Sequence, residues 1–179
     1  MKKIFLISLV LMLSASFLFG ADFGLKQIRP KIGVIMPEDP WDTGFLAGLE
    51  INIGNITPEM RLMPLLTYWK SNYDNTIADF SLSNIQLGAD VHYMLTNVRG
   101  LYFGGGLSMN LIKFEFPYYF YDGTTKTKED TDSKIGFDFL SGFELPIGNM
   151  SSFVEFKYNI VDNLNSIELS LGLNFDLNK

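Results

Sequence analysis

From Ile167 to Leu177 every odd-numbered residue is apolar, and the residues between them, Glu168, Ser170, Gly172, Asn174 and Asp176, are polar or glycine. A strand turns successive side chains to opposite faces, whereas an amphipathic helix needs apolar positions three and four apart. The segment therefore reads as a strand with one apolar and one polar face. The same alternation recurs along the chain. Phe45, Ala47, Leu49, Ile51 and Ile53 face away from Gly48, Glu50 and Asn52, and Ile85, Leu87, Ala89, Val91 and Tyr93 from Asn84, Gln86, Gly88, Asp90 and His92. Leu101, Phe103, Leu107, Met109 and Leu111 oppose Gly104, Gly106, Ser108 and Asn110. Ile135, Phe137, Phe139 and Phe143 oppose Gly136, Asp138, Gly142 and Glu144, and Val154, Phe156, Tyr158 and Ile160 oppose Glu155, Lys157 and Asn159. Two further strands are noisier, at 28–36 and 59–70; in the second, Met63, Leu65 and Trp69 fall on the face that Arg61 and Thr67 mark as polar.

The pattern predicts an all-β chain of eight strands, at 28–36, 43–54, 59–70, 79–95, 100–115, 134–147, 151–162 and 165–178. Most are longer than the five or six residues usual in globular sheets and match what a tilted strand needs to cross a bilayer. Residues 55–58, 96–99 and 148–150 are short turns, whereas 37–42, 71–78 and 116–133 are longer connections and 163–164 is a short one. Tight turns at one end and longer loops at the other are the layout of an antiparallel up-and-down transmembrane β-barrel, with both termini on the periplasmic side. Ahead of it, Lys2–Lys3, the apolar run Ile4–Phe19 and the small pair Gly20–Ala21 read as an export signal. The expected organisation is a signal peptide at 1–20, a short N-terminal segment at 21–27 and a barrel at 28–179.

Composition decides what the chain is not. It has no Cys, which excludes disulfides, thiolate metal sites and an anchor through an N-terminal Cys. Its net charge of −6 removes a nucleic-acid surface from consideration, since phosphate binding needs clustered Lys and Arg. Charged residues are 19% of the chain while hydrophobic ones are 47%, so the apolar faces need a partner other than water. A lipocalin-like secreted barrel also alternates along its strands. Against it, the polar face here is rich in glycine, at Gly33, Gly48, Gly88, Gly104, Gly106, Gly136, Gly142 and Gly172, which suits a crowded narrow interior better than a solvated exterior. Aromatic residues gather near strand ends, with Tyr68, Trp69, Tyr73, Phe80, Phe114, Phe116 and the run Tyr118–Tyr121 at one rim and Tyr93, Tyr102 and Phe103 at the other. Such girdles are expected at membrane interfaces.

The leader, the eight strands and the final segment together resemble the small bacterial outer-membrane barrels of the OmpX, OmpW and OmpA-barrel kind. Ser170, Gly172, Phe175 and Leu177 resemble the terminal signal that such barrels present to the barrel-assembly machinery, although here the chain continues to Asn178–Lys179. The resemblance implies insertion among outer-membrane lipids as a monomer.

Candidate chemistry is sparse. The polar face carries Lys31, Glu50, Arg61, Asp90, His92, Asp138, Glu144, Glu155, Lys157, Glu168 and Asp176, read as a structural ion network in the lumen. Acids outnumber bases in it, which waters, partial protonation or a cation would balance. An eight-stranded barrel is just wide enough for side chains to fill, so a plugged lumen is expected. Small-barrel lipid A deacylases and palmitoyltransferases rely on a His with Ser and an acidic partner; His92 shows no such arrangement, and no enzyme, cofactor or metal is expected. The Gly104–Gly105–Gly106 run lacks the GK[ST] of a phosphate loop and reads as a bulge or close approach. An exposed contact loop is expected around Tyr118, Tyr119, Tyr121, Lys126 and Lys128, for a surface partner of unknown kind. The alternative functions are an OmpW-like conduit for small hydrophobic molecules, motivated by Met63, Leu65 and Leu140 on the polar face, and, ranked below it, a lipid-modifying outer-membrane enzyme with His92 as its candidate base.

Overall fold

A computed structural model describes residues 22–75, 78–119, 125–148 and 150–177. Eight strands run in chain order: β1 (Asp22–Pro37), β2 (Gly44–Thr57), β3 (Met60–Asn75), β4 (Ala78–Met94), β5 (Leu101–Tyr119), β6 (Thr125–Ile147), β7 (Met150–Val161) and β8 (Ser166–Asp176). Each pairs antiparallel with the next, and β8 returns to pair with β1, so the sheet closes on itself. Closure is what hydrocarbon demands, because an open edge would leave a row of backbone N–H and C=O groups without partners.

The two faces are inverted relative to a soluble protein. The alternating apolar residues look outward, with Ile135 71% and Leu171 58% exposed, while Arg29, Glu50 and Asp90 inside are 0% exposed. Glycines on the inward face make room for large neighbours. The Tyr102 ring lies where a side chain on Gly142 would stand, and the Phe153 ring lies over Gly172 in the same way. Crowding, not turn geometry, is what these strand glycines relieve.

The strands are of unequal height. The end carrying the start of β1, the end of β8 and the connections that follow β2, β4 and β6 is called the lower end. At the upper end β7 and β8 stop near the rim, whereas β5 and β6 continue pairing to Tyr119↔Thr125. β4 leaves β5 after Ser81↔Glu115, and β7 leaves β6 after Gly136↔Val161, so the rest of the β5–β6 hairpin stands as a two-stranded ribbon. The segment 116–133, expected as a loop, is therefore mostly strand: Tyr118, Tyr119, Lys126 and Lys128 sit on it, and Tyr121 lies outside the described residues. Alternation fades there because neither face of a ribbon standing in water meets lipid. Likewise 22–27 is strand rather than a separate segment, its register shifted between Phe23 and Gln27. The leader 1–20 lies outside the described residues.

Two prolines sit where ladders are interrupted. The β1–β8 register skips Arg29 and Pro30, and the β2–β3 register jumps from Glu50↔Leu65 to Asn55↔Arg61 beside Pro64. Proline has no N–H to give the ladder, so a closed sheet tolerates it only at such breaks. Gly54, inside the second break, takes φ 125°, a conformation that L side chains rarely adopt, and its N–H is held by Asn52 Oδ1 at 2.9 Å.

Candidate functional site: the barrel lumen

Inward-facing side chains fill the lumen in layers. At the lower mouth Arg61 reaches Glu144 at 3.1 Å, both partly exposed, and Glu144 also meets Arg29 at 3.4 Å. One layer in, Arg29 is fully buried. Its guanidinium donates to the Tyr102 hydroxyl at 3.0 Å, faces His92 Nδ1 at 3.5 Å and lies 4.0 Å over the Phe153 ring, a cation–π contact shielded from water. The His92 and Tyr102 rings stack at 4.8 Å.

Above this, Lys31 donates to Glu50 at 2.7 Å and to Glu155 at 3.0 Å, and Tyr102 donates to the second oxygen of Glu155 at 2.9 Å. Lys157 donates to Asp90 at 2.7 Å. Asp138 accepts from both Gln86 at 3.1 Å and Asn159. Glu168, on the strand beside Lys157, is buried with no hydrogen-bond partner for either carboxylate oxygen.

The upper end of the lumen is apolar. Ile35, Leu46, Trp69, Leu82, Ile112, Val161 and Leu164 form one buried cluster, with Trp41 and Phe114 packed against it from the mouth. The β1–β2 connection is drawn across this plug by backbone bonds from Glu38 to Asn165 and from Asp42 to Asn72, each 2.9 Å.

Lys31, Glu50, Asp90, His92, Asp138, Glu155, Lys157 and Glu168 are thus gathered in the buried interior, and Arg61 and Glu144 form its lower gate. Asp176 does not join them; it is exposed and accepts from Gln27 at 2.6 Å. Trp69, Tyr73, Phe80, Phe114 and Phe116 at the upper rim and Tyr102 at the lower, assigned to the girdles by their closeness to strand ends, lie on the inward face instead, because parity along the strand outranks height. Arg29, at the centre of the lower network, escaped the sequence reading although it shares parity with Lys31. Met63, Leu65 and Leu140 are buried and fill the lumen rather than line a passage. Ser170 is buried, whereas Phe175 and Leu177 are exposed on the outer face.

The chemistry open to this interior is limited. Ligand atoms of Glu50, His92 and Glu155 lie within 4.8 Å of one another, the nearest approach to a metal site among the described residues. The Lys31 ammonium already bridges the two carboxylates, so the place of a cation is taken by the protein's own charge. His92 has Arg29 and Tyr102 as neighbours and no partner on Nε2; a nucleophile–base–orienter chain is not assembled there.

No protein-family model matches the sequence, and no curated protein is significantly similar to it. Solved structures are. Neisserial surface protein A superposes with a TM-score of 0.55 at 17% identity, covering 84% of this chain and 96% of its own. Ail, the attachment invasion locus protein of Yersinia pestis, solved in complex with the heparin analogue sucrose octasulfate, gives 0.55 at 12% identity, over 86% and 99%. A major outer membrane protein from Thermus thermophilus gives 0.56 at 10% identity, over 85% and 99%. At such identities the likeness is one of fold. The chain has the fold of the small eight-stranded outer-membrane β-barrels.

Proposed function

We propose that this protein is an integral outer-membrane barrel with a structural or surface-contact role, exported by its leader at 1–20, inserted by the barrel-assembly machinery, and neither a pore nor an enzyme. The observation that carries the reading is the packing of the lumen: among the described residues, buried side chains fill it as a two-layer ion network below and an apolar plug above. The outward apolar band supplies the lipid contact, and Phe175 and Leu177 at the end of β8 suit recognition by the assembly machinery.

Reconstitution into planar bilayers tests this. The folded protein is expected to give no stepwise conductance while showing heat-modifiable migration in detergent gels; reproducible channels would overturn the plugged lumen, and solubility without detergent would overturn the membrane reading.

A further inference from the structure

Above the plug, β3, β4, β5 and β6 rise past the rim on one side of the mouth, and their inward face is aromatic. Trp41 stands at its foot, 6.4 Å from Tyr73 and 6.1 Å from Phe114 between ring centroids, and Tyr73 lies 6.0 Å from Phe80. Phe116 continues the row one step higher on β5. All five rings are partly exposed. Beside them β6 carries a charged row: Asp130 is opposite Phe114, and Lys128 is opposite Phe116 with its ammonium 5.7 Å from the ring centroid.

The occupant of such a face must satisfy rings and charges together. An apolar tail or peptide would desolvate Lys128 and Asp130 without pairing them. A polyanion would meet Asp130 and Asp132 on the wall and the exposed Asp42 and Asp162 at its two flanks, beside β3 and β6, while Lys134 is already held between Asp132 and Asp162. A neutral sugar chain fits both rows, because its C–H faces lie on aromatic rings while its hydroxyls both donate to carboxylates and accept from an ammonium. The rings face the barrel axis, away from the bilayer, so the ligand arrives from solution and is not the cell's own lipid headgroup. We propose that this wall is a binding surface for neutral glycans presented from outside the cell. The proposal rests on the surface-contact reading above and gives it a ligand class.

The test uses the full protein in phosphatidylcholine nanodiscs free of glycolipid. It is titrated calorimetrically with neutral glucan, galactan, mannan and N-acetylhexosamine oligomers, and with dextran sulfate of similar length. At least one neutral class is expected to bind with Kd below about 1 mM, and dextran sulfate at least about tenfold more weakly. Phe116→Leu, which keeps apolar bulk and removes the ring, is expected to weaken binding about tenfold. Lys70→Ala, on the outer face of β3 and outside the ribbon, is expected to leave it unchanged. No binding by any neutral class, equal binding of dextran sulfate, or an unaffected Phe116→Leu variant would each overturn the proposal. Heat-modifiable migration and silent bilayers under the same conditions would show that only the glycan surface has failed and the plugged barrel stands.

Discussion

The lower and upper halves of the lumen are closed by opposite means. Below, Arg29, Lys31 and Lys157 hold Glu50, Glu155 and Asp90 in a network reinforced by Tyr102, so each charge depends on its neighbours. Above, Ile35, Leu46, Trp69, Leu82 and Ile112 pack without directional bonds. A barrel interior offers no bulk solvent to either half. The ionic half is therefore intolerant of losing one partner, whereas the apolar half responds in proportion to the volume removed.

Breaking the ionic half has the largest expected effect. Lys31→Met leaves two buried carboxylates without their shared cation, and the expected loss is about 3–5 kcal/mol, read from urea unfolding out of lipid vesicles. A loss no greater than that of an exposed lysine such as Lys70 would show that the network is not closed by Lys31. In the apolar half, Leu82→Ala is expected to cost about 2–5 kcal/mol, with the midpoint insensitive to salt and the bilayer still silent. Conductance in this variant alone would locate the barrier to permeation in the plug.

Much of this division could be read from the sequence, and the missing part has a physical cause. Period-two alternation fixes the outward face wherever lipid lies against it, which is why the middles of β2, β4, β5, β7 and β8 were legible. The plug went unread, although its signal is present as a disturbance of that rule. Val34-Ile35, Phe45-Leu46, Tyr68-Trp69, Leu111-Ile112 and Ile160-Val161 are apolar doublets near one end of their strands, where the inward position turns apolar as well. Arg29 was hidden by Pro30, whose break in the β1–β8 ladder blurs the strand that carries it. The ribbon was not legible, because outside the bilayer both of its faces are free to be polar and only pairing across the hairpin holds it.

Glu168 lies in the ionic half without a share in its bonds. Glu168→Gln removes a buried carboxylate that has no hydrogen-bond partner while keeping shape, so a gain in stability of about 1–3 kcal/mol is expected in the same urea assay. The sign is opposite to that of Lys31→Met. A loss comparable to that of Lys31→Met would mean that Glu168 is a full member of the network and that the contrast within the ionic half is false.

The smallest effect belongs to a charged cluster outside both halves. On the outer row of β5, Leu111 is followed by Lys113 and Glu115, which marks the top of the apolar band. Lys113 holds Glu115 at 2.8 Å and Glu129 at 2.9 Å, bracing β5 against β6 at the base of the ribbon. The hydrogen bond from Lys113 keeps the Glu115 carboxyl below its usual range, and its two glutamates raise the Lys113 ammonium. A depressed carboxylate contributes above its ordinary pKa and loses that contribution as pH falls through the depressed value. A raised ammonium contributes below its ordinary pKa and loses that contribution as pH rises through the raised value. The brace is therefore constant through neutral pH and weakens in acid and in strong base, modestly, since all three groups stand in water and salt screens them. Hydrogen-exchange protection of the β5–β6 ribbon should decline in acid relative to the barrel amides, and Lys113→Met should flatten that decline. The same acid response in Lys113→Met as in the unaltered protein would remove the brace from the account and leave the ribbon held by its backbone ladder alone.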